Sequence, residues 1–234
     1  MTRAKNNAVE KRAMAELEAS GIMQNSYFQA LQDGSMSKEA FARGQQQFYF
    51  AVSFYSRPMA ILLARLPDLG SRIDLLHNIM DEHGGLDPAN SHHSTFLKFL
   101  ESLGHPLAAD TAQSPAVRNF NSVLTAVCAF DEIEVGLACL GIIELAFSAI
   151  SGTIGAAAIQ RGFVAGDDLV HYKLHRKLDV KHADDFFNLL TRSWSSPRGR
   201  ASIETGLVLG AHIFDRLYRE LLLIGQDSNP ATLA

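Results

Sequence analysis

Apolar residues recur every three or four positions along almost the whole chain, the spacing that gathers side chains on one face of an α-helix. The two-residue alternation of a half-buried strand is absent. Val9, Met14 and Leu17 mark an amphipathic helix over 8–19, and a second, shorter one runs through 23–31. Ser37, with Glu39 and Ala40 behind it, opens a long run, AFARGQQQFYFAVSFYSRPMAILLARL. Pro58 must kink or break that run, because it has no N–H and its ring clashes with the preceding turn. Helical spacing resumes over 71–85, then from Pro88 to Leu103, where Gly104 closes it. Ser114-Pro115 pairs an N-cap with proline at the first helical position and starts a helix to about 129. A long apolar helix follows over 135–160, then a polar one over 167–194, and Pro197 opens a last helix that ends at Gly225. The tail from about 226 is expected to fray. No repeat, low-complexity tract or linker divides the chain, so the pattern predicts one domain: an all-α bundle of seven or eight helices.

The stretch over 135–160, VGLACLGIIELAFSAISGTIGAAAIQ, is long enough to cross a bilayer. It carries Glu144 at its centre, where a lone charge in lipid is costly. A central helix enclosed by others is equally apolar on every face, and no membrane contact is expected. Glu144 then becomes a buried carboxylate in need of a partner. Composition agrees with a packed core, at 47% hydrophobic and 20% charged residues. The net charge of −4, with no basic patch among aromatics, argues against nucleic-acid binding. Cys128 and Cys139 lie in apolar surroundings without a Cys-x-x-Cys, and read as buried free thiols of a reducing compartment. The first twenty residues are polar and lack the apolar core of a secretory signal, so the expected location is the cytoplasm.

The chemistry is concentrated in HYKLHRKLDVKHADDFF. His175, Asp179 and His182 stand at offsets of four and seven, and a helix advances about 100° per residue, so all three share one face. Lys173, Arg176, Lys177 and Lys181 fall on other faces. Two imidazoles and a carboxylate on one stripe suit a first-row transition metal, and mixed His/carboxylate sets with open positions point to iron. Metal pockets in helical bundles draw ligands from several facing helices. Glu144 is one candidate, on the ground of its burial. The stretch DEHGGLDPANSHHSTFLKFLESLG is another source, with Asp81, Glu82, His83, Asp87, His92 and His93. Taken alone, it also reads as an ordinary loop whose histidines cap a helix or face water. Together, Glu82, His92, Glu144, His175, Asp179 and His182 are enough for two metal ions sharing a carboxylate.

In this order and with these residue types, the chain resembles the heme-oxygenase-like diiron oxidases and oxygenases, over roughly residues 20–225. The family's pattern is Glu, His after a short loop, Glu in an apolar helix, then His-x-x-x-Asp-x-x-His. His92 rather than His93 is taken as the ligand because the family places it twelve residues before the Leu-Gly closing its helix, here Gly104. The resemblance implies a heme-oxygenase-like helical fold without heme. It implies two iron ions held by the six residues, with dioxygen as co-substrate. Glu144 and Asp179 are implied as the catalytic carboxylates that adjust as dioxygen binds. The implied chemistry is oxidation, N-oxygenation or carbon–carbon cleavage of a small amine, amino acid or carboxylate, in a homodimer.

One branch makes para-aminobenzoate from its own tyrosine, with a tyrosine directly before the second glutamate and a lysine ten residues after it. Ile143 and Ile154 stand at those positions here. An external small-molecule substrate is therefore expected, although Tyr27 matches that branch's other tyrosine. Tyr27, Phe48, Tyr49 and Phe54 are candidates for lining the substrate pocket, although for each a plain core role is the more ordinary reading. Two alternatives remain at this level: a metal-free thiaminase-like or quinone-cofactor-forming relative on the same fold, and a helical interaction protein without catalysis.

Overall fold

The computed structural model describes residues 7–227, and all regular structure among them is helical. The expected fraying of the tail falls almost wholly outside the described residues. Ten α-helices follow in order: α1 (Ala8–Ser20), α2 (Ser26–Asp33), α3 (Lys38–Val52), α4 (Ser56–Arg65), α5 (Leu69–Glu82), α6 (His92–Ser102), α7 (Pro115–Phe130), α8 (Ile133–Gln160), α9 (Val170–Leu190) and α10 (Pro197–Gln226). Ten exceeds the expected seven or eight, chiefly because the run opened by Ser37 divides at residues 53–55 into α3 and α4. Pro58 then falls in the first turn of α4, where a missing N–H breaks no intrahelical bond. The segment read as one helix from Pro88 also divides. Pro88–Asn90 is a 3₁₀ turn, and Ser91 caps α6 by accepting a bond from the Ser94 N–H. The polar helix is shorter than its pattern suggested, with 3₁₀ turns at Gly166–Asp168 and Ser193–Ser195 flanking α9.

α8 is the central element, packed along both α9 and α10. It is long and apolar enough to cross a membrane by length and composition, and 72% of its most apolar window is buried by the rest of the protein. α10 comes close to α8 because Gly206 and Gly210, one turn apart, present no side chain. A Cβ at Gly206 would meet the Val135 carbonyl oxygen at 2.3 Å, and one at Gly210 the Cys139 oxygen at 2.6 Å. Cys128 and Cys139 are both free and buried. Tight packing fixes α8 in depth and rotation, and therefore aims Glu144, at its middle, toward α9 and the end of α5.

Candidate metal centre

The α9 stripe folds as its spacing requires: His175, Asp179 and His182 are buried while Lys173 and Lys181 are exposed. His175 Nδ1 lies 2.8 Å from Asp179 Oδ1, one turn along the same helix. From α8, Glu144 Oε2 approaches His182 Nδ1 at 3.7 Å. The remaining pair depends on the turn between α5 and α6. Gly84 there has φ +66°, and a Cβ on it would stand 2.4 Å from the backbone of Asn90. No L side chain fits that fold-back. It returns the start of α6 to the end of α5, so that His92 Nδ1 lies 2.9 Å from Glu82 Oε1. Glu82, Glu144 and His182 each offer a ligand atom within 4.8 Å of the other two. The rings of His92 and His175 are 4.2 Å apart between centroids. All six residues named from the sequence thus meet in one buried cluster. His93 is exposed and contacts the Tyr49 hydroxyl at 3.0 Å instead.

Whether these residues suit a metal can be judged from their unmet bonds. Buried polar atoms nearly always find a partner, because leaving one unpaired costs about 1–3 kcal/mol. Here Glu144 Oε1, Asp179 Oδ2, His182 Nδ1, His175 Nε2 and both ring nitrogens of His92 are buried without a hydrogen-bond partner. His92 Nδ1 is near Glu82 but off the hydrogen-bonding line. Nitrogen and oxygen atoms left without a partner in one buried cluster are what a transition-metal cation requires. Three carboxylates and three imidazoles fit iron.

Burial dominates the electrostatics. It pushes the Glu144 carboxyl up to about 7, with the Asp179 charge adding to it. It also raises Asp179 well above the usual carboxylate range, and with His92 it drives His175 down to about 3. Three groups go the other way against burial. The His92 charge holds Glu82 below its ordinary value, and Glu82 in turn raises His92. The nearby Glu144 carboxylate, helped by Asp81, lifts His182 to about 10. Protons on Glu144, Asp179 and His182 therefore compete with a cation at neutral pH.

Two residues of the cluster lie outside the six chosen from the sequence: Asp81, which stood in the candidate stretch, and His171, which was not singled out. Asp81 Oδ2 lies 3.1 Å from His182 Nε2, and by taking that N–H it leaves Nδ1 open toward Glu144. A carboxylate behind a metal-binding histidine fixes its tautomer and ring orientation in this way. His171, fully buried, is the second. It stands one turn before His175, and its ring lies 4.3 Å from that of His175. The same i, i+4 rule that joined His175 to Asp179 could have found it.

Beside the carboxylates is a cavity of about 40 Å³, walled by Phe48, Tyr55, Phe120, Ile143, Phe147 and Phe214, with Glu82, Glu144 and His175 reaching into it. Of the four proposed lining residues, Phe48 is on this wall and the other three lie elsewhere. Tyr27 is fully buried, and its hydroxyl accepts from Gln45 Nε2 at 2.7 Å. Tyr49 faces His93. Phe54, in the turn where α3 has already ended, lies under the Arg57 guanidinium at 5.3 Å in a surface groove.

The family described as iron-containing redox enzymes matches residues 44–208, a span that contains all six cluster residues. The chain belongs to that family. It is an enzyme, an oxidoreductase, and the family's iron agrees with the buried Glu82, Glu144 and His182. Among curated relatives, the 4-aminobenzoate synthase of Chlamydia pneumoniae is 22% identical over 93% of this chain and 95% of its own length. The enzyme of the same name from Chlamydia trachomatis is 24% identical over 69% of this chain and 70% of its own. Solved structures share the fold. A CADD-like protein of unknown function from Nostoc punctiforme superposes with a TM-score of 0.76 at 18% identity, covering 93% of this chain and 96% of that one. A TenA homolog from Pseudomonas syringae does so at 0.76 and 14%, covering 95% and 98%. This family member therefore has the expected heme-oxygenase-like all-α fold.

Proposed function

We propose that the chain is a non-heme diiron oxidase or oxygenase that uses dioxygen to oxidise or cleave a small external organic substrate, an amine, amino acid or carboxylate. The observation that carries this reading is the buried set of open lone pairs from α5, α6, α8 and α9, within a family that contains iron. Glu82, His92, Glu144, His175, Asp179 and His182 would hold two iron ions, and bound ferrous iron would supply the electrons that reduce dioxygen. The chain's own residues do the rest. Asp81 holds His182 in one orientation, and Glu144 and Asp179 bring negative charge that must lose its protons before a cation is bound. Phe48, Phe147, Phe214 and Ile143 keep water from the carboxylate edge of the cavity, which protects a reactive centre from side reactions. The cavity borders the carboxylates, which is where dioxygen and one end of a small substrate would meet.

The curated relatives are named 4-aminobenzoate synthases, so the source of the substrate is a real choice. Ile143 on the cavity wall and the fully buried Ile154 put hydrocarbon at both positions where a self-consuming route needs a phenol and an amine. The Tyr27 hydroxyl is held by Gln45, away from the cavity. These features favour an exogenous substrate. A metal-free activity of the TenA kind would leave the cluster's lone pairs unexplained. The test is to reconstitute the protein with iron(II), mix it with oxygen and screen amines, amino acids and carboxylates. A true substrate should speed the decay of a transient visible band, and the protein's intact mass should be unchanged after many turnovers. Loss of a tyrosine side chain mapped to Tyr27, or no oxygen uptake with any substrate, would contradict this function.

A further inference from the structure

We propose that His171 is a seventh ligand of this centre, binding one of its ions through Nε2 on the side of His92 and His175. The inference rests on reading the cluster as a metal site and adds to it a residue outside the six-ligand pattern.

The first argument is a chain of hydrogen bonds that fixes which nitrogen of His171 carries its proton. The Thr95 hydroxyl donates to the His92 carbonyl oxygen at 3.1 Å, an i to i−3 bond within α6. A hydroxyl has one proton to give. We assign that proton to the carbonyl, so the contact between Thr95 Oγ1 and His171 Nδ1, also 3.1 Å, is donated by the ring, with Nδ1–H as donor. His171 Nε2 is left with a lone pair. That atom is buried, without a partner, in a residue with no solvent exposure.

The second argument compares His171 with its neighbours. In His175 as in His171, Nδ1 is engaged and Nε2 is open, and His92 Nε2 is open as well. Among the described residues, the buried imidazole nitrogens without a partner belong to His92, His171, His175 and His182 and to no other histidine. The criterion that recovers three of the predicted ligands selects His171 alone beyond them.

The third argument is spacing. With nitrogen–metal bonds of about 2.1 Å, bound imidazole centroids lie about 3.2 Å from the ion, so those at right angles are about 4.5 Å apart and opposite ones about 6.4 Å. The centroids of His92 and His171 are 4.2 and 4.3 Å from that of His175, and 6.0 Å from each other. Three rings around one ion have these separations. Phe96, Phe147 and Tyr172 surround the His171 ring and offer it aromatic contact but no hydrogen bond to Nε2.

Cobalt(II) serves as the probe, because its visible spectrum reports the number and type of its ligands. The whole chain, wild type and His171→Gly, would be titrated with cobalt(II) without oxygen, with circular dichroism confirming the fold. Wild type should bind two ions. His171→Gly should bind one of them at least about tenfold more weakly and show an altered spectrum, and added imidazole should restore the wild-type spectrum. If His171→Gly fails to fold, His171→Leu keeps the bulk without the nitrogen and should show the same weakening. Wild-type affinity and spectrum in a folded variant would make His171 a core residue and leave the centre standing. No cobalt bound by wild type would overturn the metal reading itself, and His171 with it.

Discussion

His171 and Tyr172 are neighbours in the chain and both fully buried, yet they belong to two polar clusters that meet burial in opposite ways. On the Tyr172 side the cluster closes on itself. Its hydroxyl donates to Gln45 Oε1, and Gln45 Nε2 donates to the Tyr27 hydroxyl. On the His171 side, histidines and carboxylates crowd together and leave lone pairs unmatched. A closed cluster specifies packing; an open one specifies a guest. The difference lies in residue type as much as geometry, since glutamine and tyrosine can each donate and accept, whereas carboxylates and neutral imidazoles bring a surplus of lone pairs.

The sharpest break in that comparison comes from one substitution on each side. Gln45→Leu strands two phenol hydroxyls and should cost about 2–6 kcal/mol of stability, read by urea unfolding. Glu144→Gln should cost the metal-free protein little or even stabilise it, because a buried charge is expensive, while abolishing oxygen reactivity. Equal losses in the two variants would erase the distinction. Next in size is the effect of the guest itself. A metal at a hundredfold its Kd stabilises by about 2.7 kcal/mol, which raises Tm by about 5–10 °C in a chain of this length. His182→Ala should stay folded and lose that rise. Unfolding of His182→Ala, beside a stable metal-free wild type, would make His182 a core residue.

A smaller effect is expected at the rim. Asp81→Asn keeps the shape but can no longer hold a full charge against the His182 N–H, so metal affinity should fall about tenfold to a hundredfold, measured against a chelating dye. An unchanged affinity would remove Asp81 from the centre. The last effect is a trend with pH. Glu144 is raised to about 7 and His182 to about 10. A raised group gives its full stability below its unfolded pKa and loses it as pH climbs through the folded one. His175, lowered to about 3, works the other way below the ordinary histidine value of 6.5. The metal-free protein should thus lose stability from about pH 6.5 to about pH 10, where His182 gives up its proton, over the very range in which metal affinity rises as protons leave. Thermal melts with and without metal should diverge as pH rises; parallel curves would contradict the assigned protons.

Most of this centre was legible because it follows helical arithmetic. His175, Asp179 and His182 share a face by spacing alone, and Glu144 stands out as the one charge in an apolar helix. The pairing of Glu82 with His92 needed a turn, and Gly84-Gly85 marked where it was. His171 obeyed the same spacing but lies outside the family's motif, so attention to the motif hid it. Asp81 stood in the candidate stretch but was passed over for a different reason: its role depends on which nitrogen of His182 faces inward, which no pattern encodes. The pocket wall was read least well. Phe48 is on it, but Tyr27 and Tyr49 had hydrogen-bond partners elsewhere, and Phe54 depended on α3 continuing past Val52.

The central claim is that the open cluster holds a pair of irons. Loading the purified full chain with iron(II) in the absence of oxygen, followed by desalting and metal analysis with the fold checked by circular dichroism, tests it most directly. The account predicts two irons per chain, lost in His182→Ala. A folded wild-type protein with no iron above background would contradict it.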